Sequence, residues 1–199
     1  MSWNFMVEHD PQWDSGYRFF PELTATSADN RYQLRPIHWN DRDAIREWRN
    51  AQIDVLRQQN PLSANEQDNY FSNLVLPQLT QEQPEQILFA FLEDSQLVGY
   101  GGFVHIVWSD RRAEVSFLTD INRSEHQVFS QDWSEYLNLL VQLAGRIGFH
   151  KLTTETYSIR PELIEILESF GFTQEGILRD HHLIDGVPVD SFAHAYLIN

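Results

Sequence analysis

The chain has 199 residues, a hydrophobic content of 42% and an aromatic content of 13%, enough apolar material for one domain with its own core and too much for a disordered chain. It contains no cysteine, which excludes disulfide bonds, thiolate metal centres and a cysteine nucleophile. Its net charge of −15 gives a surface that repels phosphate backbones, so nucleic acid is not an expected partner, whereas amines are tolerated.

Residues 1–30 show no clear period. They lack a basic segment followed by an apolar run, so they do not read as a signal peptide. No stretch of the chain approaches the roughly 18 apolar residues of a membrane span. The expected location is the cytoplasm, with no membrane partner. Trp3, Phe5, Trp13, Tyr17, Phe19 and Phe20 stand here among polar residues. So many rings are costly to leave in water. The segment therefore reads as an extension packed on a domain of residues 31–199; a homodimer contact is the alternative use of the same rings.

The core pattern starts at Tyr32. Residues 32–37 alternate as a strand, and Pro36 suggests a sheet edge. Asn40 is placed to cap a helix carrying Ala44, Ile45 and Trp48 at helical spacing. A second helix is predicted from Ser63 to Leu79, opened by a capping box of Ser63 and Glu66, with Tyr70, Phe71, Leu74 and Val75 inward. Three strands follow, over 87–93, 97–107 and 113–119, joined by turns at Glu93–Gln96 and Ser109–Asp110. Gly99, Gly101 and Gly102 in the middle strand point to a bulge or a close backbone approach.

A long helix comes next, with Trp133, Leu137, Leu140, Val141, Ala144 and Ile147 on one stripe and Gly148 at its end. Two starts compete for it: Ser124 with Gln127, and Ser130 with Asp132. A Thr-rich strand over 150–157, a helix over 162–170 opened by Pro161 and closed by Gly171, and strands over 172–178 and 192–198 complete the chain. Asp185-Gly186 is the last turn. His105, His181 and His182 do not read as a metal site: His105 lies in a strand, the other two are adjacent in sequence and tend to point to opposite faces, and no ligand spacing accompanies them.

Three stretches carry a family likeness. Phe170-Gly-Phe172-Thr-Gln-Glu175-Gly-Ile-Leu-Arg179, following Glu155-Thr-Tyr157 and a helix, is similar to a C-terminal segment of the GNAT (Gcn5-related N-acetyltransferase) superfamily. Asp185-Gly186-Val-Pro-Val-Asp190 resembles the closing hairpin of its amino-sugar and ribosomal-protein branches. Asp43 through Trp48-Arg49-Asn50 resembles the first helix of its amino-sugar acetyltransferases. The resemblance covers about residues 32–198 and implies an α/β GNAT fold: a mixed antiparallel–parallel sheet with a splayed strand pair, flanked by helices. It also implies acetyl-CoA as co-substrate. The pantetheine arm would pair with the backbone of Phe117, Leu118 and Thr119, and the pyrophosphate would sit on amides at the start of the long helix.

The chain departs from the family in that loop. Residues 122–130 hold no glycine, place Glu125 near the phosphates and run longer than usual. Arg123, Ser124, His126 and Gln127 are the candidates to replace the glycine amides. Glu114 is the candidate base, or else a surface residue beside Arg111 and Arg112. The family's acid tyrosine falls at Leu167 and its loop asparagine at Arg160. Tyr157 is the candidate substitute acid, or else a packing residue. Trp48, Arg49 and Asn50 are candidates for the acceptor, Arg49 for a phosphate of a nucleotide sugar; the alternative makes Trp48 core and Arg49 a surface bridge. The function implied is N-acetylation of a primary amine on a small molecule, foremost an amino sugar. Acetylation of a protein N-terminus, or a non-catalytic binding domain with a degenerate loop, are the alternatives.

Overall fold

The computed structural model describes residues 7, 10–56, 58 and 60–198; the expectations for Trp3 and Phe5 lie outside these. The elements are α1 (Gln12–Ser15), β1 (Ala25–Thr26), β2 (Tyr32–Pro36), α2 (Arg42–Ala51), α3 (Ala64–Tyr70), β3 (Ile87–Glu93), β4 (Gln96–Val107), β5 (Arg112–Thr119), α4 (His126–Ile147), β6 (Lys151–Tyr157), α5 (Pro161–Phe170), β7 (Thr173–Ile184) and β8 (Val187–Leu197). The strands form one sheet in the order β1-β2-β3-β4-β5-β6-β8-β7. Every pairing is antiparallel except β5 with β6.

That parallel pairing positions the site. It covers only Arg112↔Lys151, Ala113↔Leu152 and Glu114↔Thr153. Beyond Glu114 the two strands part. β6 stays paired with β8 along its whole length. β5 is drawn instead toward α4, where Phe117 stacks on Tyr136 at 3.7 Å between centroids and meets Trp133 edge-on at 5.0 Å. The Tyr136 hydroxyl donates to the Ser116 carbonyl at 2.7 Å. Burial keeps that hydroxyl protonated well above its ordinary range, so it remains a donor.

The glycines of β4 permit the close approach this requires. A Cβ on Gly101 would lie 2.0 Å from the Ser116 carbonyl oxygen and 2.7 Å from the Tyr136 hydroxyl. Gly102, at φ 147°, would put one 2.0 Å from the Ile87 oxygen. The register also breaks between Val104 and Val107, where His105 takes φ 48°.

Several local expectations change. Pro36 does not mark an edge: β2 pairs with both β1 and β3. β1 ends short of Pro36, so the missing N–H costs no ladder bond. Asn40 does not cap α2; His38 and Asp41 cap the 3-10 turn that leads into it. The helix from Ser63 keeps its capping box but widens into a π-turn at Phe71–Val75, one turn before Pro77, whose ring and absent N–H disrupt the α ladder there. Leu74 consequently faces out and is exposed. In the N-terminal segment Trp13 and Tyr17 are buried, and the Leu88 amide donates to the Tyr17 hydroxyl at 2.6 Å. Phe20 stacks on Trp108, while Phe19 is exposed.

Candidate active site

The splay opens a cavity of about 300 Å³, walled by Glu114–Phe117 of β5, Thr154–Tyr157 of β6, Trp133 of α4, Leu163 and Leu167 of α5, and Arg49, Val104, His105 and Arg160. A second hollow of about 620 Å³ shares Arg49, Val104, His105 and Ser116 with it and runs past Tyr70, Leu74, Glu85 and Tyr100. The two hollows adjoin at these residues and together make the candidate cleft, with Arg49 and His105 at the junction.

Glu114 sits at the last paired position before the strands part. Its Oε2 lies 2.9 Å from Nδ1 of His105, and the His105 side chain is 67% exposed. The irregular backbone at His105 turns this ring toward β5. Tyr157 is buried on the β6 wall, its ring 4.8 Å from His182. Leu167, fully buried, fills the place where the family tyrosine was expected.

The three residues of the first-helix motif separate in role. Trp48 is buried in the core. Asn50 ties the following segment: it donates to the Leu62 carbonyl at 2.9 Å and accepts from the Leu62 amide at 2.7 Å and from Gln58 at 3.0 Å. Gln58 in turn accepts from Arg49 Nε at 3.0 Å, and Arg49 Nη1 donates to the Tyr100 hydroxyl at 2.9 Å. Arg49 is therefore held in place by neutral groups. Burial opposes its charge and Tyr100 supports it, leaving its pKa above the ordinary value. Arg160, at the start of α5, also lines the cavity, and burial lowers its pKa. Among the described residues neither arginine has a carboxylate within ion-pair distance. Arg160 and Gln58 were not anticipated as site residues; both sit in irregular segments, where no periodicity marks them.

The loop after β5 takes its own form. Asp120 caps a 3-10 turn over Ile121–Arg123, and α4 starts at His126 with Glu125 as N-cap residue. Neither predicted cap is used. Ser124 closes the 3-10 turn, and Asp132, its side chain 0% exposed, pairs with Arg123 through two bonds of 2.6 and 2.7 Å. Arg123 also reaches Glu93 at 2.8 Å. Ser124, Glu125, His126 and Gln127 are exposed; His126 Nδ1 lies 2.5 Å from Glu162 of α5. No side chain caps α4, which leaves its first amides open to an anion.

A profile of the acetyltransferase (GNAT) domain family matches residues 34–193. The chain belongs to the GNAT family. No functionally curated protein sequence matches it. Among solved structures it is similar to a spermidine N-acetyltransferase from Vibrio cholerae in complex with CoA and spermine (16% identity, 84% of this chain and 96% of that one, TM-score 0.72). A mutant form of the spermidine/spermine N-acetyltransferase SpeG of the same organism is similar at 18% identity, over 84% and 94% of the two chains, with TM-score 0.71. An N-acetyltransferase from Staphylococcus aureus Mu50 is similar at 17% identity over 84% and 99%, with TM-score 0.66. As a GNAT enzyme the chain is an N-acetyltransferase with acetyl-CoA as the acyl donor.

The residues present fit that donor, with one misfit. Between β5 and β6 the sheet offers an unpaired edge for the pantetheine arm. Two carbonyls there are already engaged, Ser116 by Tyr136 and Thr119 by Gln52 at 2.7 Å. Phe117 and Leu118 lie between them. The open amides of α4 suit a pyrophosphate, whereas the exposed Glu125 carboxylate stands at the same helix end and opposes one.

The histidines also behave differently from expectation. Strict alternation would set His181 and His182 on opposite faces of β7. The register breaks between Leu178 and His182, with Asp180 at φ 49°, and the two rings come to 4.7 Å. No helix among the described residues is long and apolar enough to cross a membrane.

Proposed function

We propose that the enzyme acetylates the primary amine of a small acceptor that also carries an anionic group, foremost an amino sugar linked to a nucleotide. The observation that carries this is Arg49: a guanidinium lining both hollows, oriented by Tyr100 and Gln58, with no carboxylate partner among the described residues. A half-buried cation without a counter-ion favours an anion from outside, and its planar fork suits phosphate or carboxylate.

The chemistry follows from the placement of the side chains. Acetyl-CoA supplies the acetyl group as a thioester. The acceptor amine must lose a proton before it attacks, and the Glu114–His105 pair stands at the junction to take it. The new N–C bond forms as the C–S bond breaks, and the departing thiolate takes a proton from Tyr157 on the facing wall. Backbone amides of the splayed β5 edge polarise the carbonyl. Acetyl transfer by this route needs no metal. Arg123, turned to Asp132 and Glu93, supports the loop; Ser124 and Gln127 are left, with the α4 amides, to meet the phosphates, and His126, its Nδ1 held by Glu162, has its Nε2 for them.

The test is CoA release from acetyl-CoA with three acceptors: a UDP-linked amino sugar, spermidine and a short peptide with a free N-terminus. Turnover of the sugar nucleotide above the other two is expected. Preference for spermidine, the acceptor named for the V. cholerae structures, would overturn the reading, and preference for the peptide would replace it with N-terminal acetylation.

A further inference from the structure

We propose that Glu155, His181 and His182 form a binding site for a divalent transition-metal ion of the Zn²⁺ class, beside the acyl cavity. One carboxylate oxygen and two imidazole nitrogens, one from each residue, all lie within 4.8 Å of one another. Two nitrogens and one oxygen make a ligand set preferred by Zn²⁺ and its neighbours over Mg²⁺ or Ca²⁺, which take oxygen.

The fold produces this cluster by a specific device. Glu155 is on β6, in the centre of the sheet's C-terminal half, and β8 separates it from β7 in the ladder. A regular β7 would show β6 at most one of two consecutive histidines. The bulge between Leu178 and His182 supplies the departure. Asp180 takes a left-handed conformation, its amide donating to the Asp190 carboxylate at 2.8 Å. The bulged segment thereby carries both rings toward Glu155. His182 Nε2 reaches Glu155 Oε1 at 2.7 Å.

The distances suit an ion after a small adjustment. Ligands about 2.0–2.2 Å from Zn²⁺ in a tetrahedron stand about 3.3 Å from one another. The Glu155–His182 pair must open from 2.7 Å as the ion replaces the proton between them. The His181 nitrogen must close in, and His181 is exposed and free to change rotamer. Three protein ligands leave a fourth position for water. Glu155 is also part of the wall of the acyl cavity, so the ion would sit at the rim of the β6 wall.

The experiment titrates the full chain with ZnCl₂ by calorimetry and with CoCl₂ by visible absorption. Saturable one-to-one binding and the d–d bands of low-symmetry Co²⁺ are expected. His181→Ala and Glu155→Gln should each weaken binding at least about tenfold without altering the far-UV circular dichroism, while His105→Ala leaves it unchanged. Because His181 is exposed, its replacement does not threaten folding. No saturable signal up to roughly 100 µM metal would overturn the proposal, as would binding insensitive to His181→Ala or abolished by His105→Ala.

Discussion

Replacing Arg123 by alanine separates two roles for the loop after β5. The side chain is 19% exposed and bridges Glu93 at the end of β3 to Asp132 in α4, whose carboxylate is 0% exposed. Removing it strands the Asp132 charge, while Glu93 keeps Arg31 and Tyr32. Breaking one side of such a buried pair costs about 3–5 kcal/mol. At about 2–4 °C per kcal/mol for a chain of this size, Tm should fall by roughly 6–20 °C. Burial already raises the Asp132 pKa against the pull of Arg123. Without the arginine it rises further, and a carboxyl whose folded pKa exceeds its unfolded value costs stability as pH rises. The Tm deficit should therefore narrow as pH is lowered from 8 to 5. Changing Asp132 to leucine in the same chain removes the stranded charge and should restore most of the loss. Differential scanning fluorimetry and the KM for acetyl-CoA are the two readouts. A phosphate contact by Arg123 would be worth about 1.5–3 kcal/mol. An acetyl-CoA KM raised tenfold or more in the stabilised double variant, with little Tm change in Arg123→Ala, would refute the supporting role.

Arg49→Ala should raise KM for an anionic acceptor by about 10-fold to 150-fold, the loss of a charged hydrogen bond, with the acetyl-CoA KM unchanged; equal losses with a neutral amine would count against the assignment. Glu114→Gln should lower kcat by about 10²–10⁴-fold, measured by thiol release across pH, and an unchanged pH profile would argue against Glu114 as base. Glu125→Gln should tighten acetyl-CoA binding by about fivefold at low salt, an effect that fades as salt screens it; calorimetry decides. Burial acts to raise the Glu93 pKa, but Arg31, Arg123 and Tyr32 outweigh it and the pKa is lowered. The stability this gives is present above the unfolded carboxylate range and lost as pH falls through the folded value, so Glu93→Gln should flatten the acid limb of a Tm–pH curve.

The fold was legible because its elements are bounded by strong local signals. The Ile87–Glu93 strand, the glycines of β4, the ends of α4 and α5 at Gly148 and Gly171, and the Asp185-Gly186 turn all fall where turn chemistry and periodicity put them. The site was legible only in part. Glu114 and Tyr157 line the cleft, but Trp48 lies in the core and Asn50 binds its own backbone. Arg123 reads as a phosphate ligand in a glycine-free loop because nothing local reveals that Asp132, nine residues on, is buried and facing back. Register breaks were the other blind spot. A period of two cannot foresee that the backbone at Asp180 turns both His181 and His182 to one side.

Net charge is a poor guide to the acceptor, and the cleft shows why. Surface carboxylates act through water and salt, which screen them beyond about 8–10 Å. Arg49 acts at contact distance in the groove; Glu85 lines the same hollow, but among the described residues no carboxylate lies within ion-pair distance of the guanidinium. An ammonium held about 6 Å from that guanidinium at an effective dielectric near 20 would be repelled by about 3 kcal/mol, more than a hundredfold in affinity. A polyamine lying along the groove would place a second cation in that range, whereas an amine joined to a phosphate would place an anion there. The overall charge of −15 leans toward a cationic acceptor. On the proposed reading Arg49, with no ion-pair partner among the described residues, outweighs it at contact range.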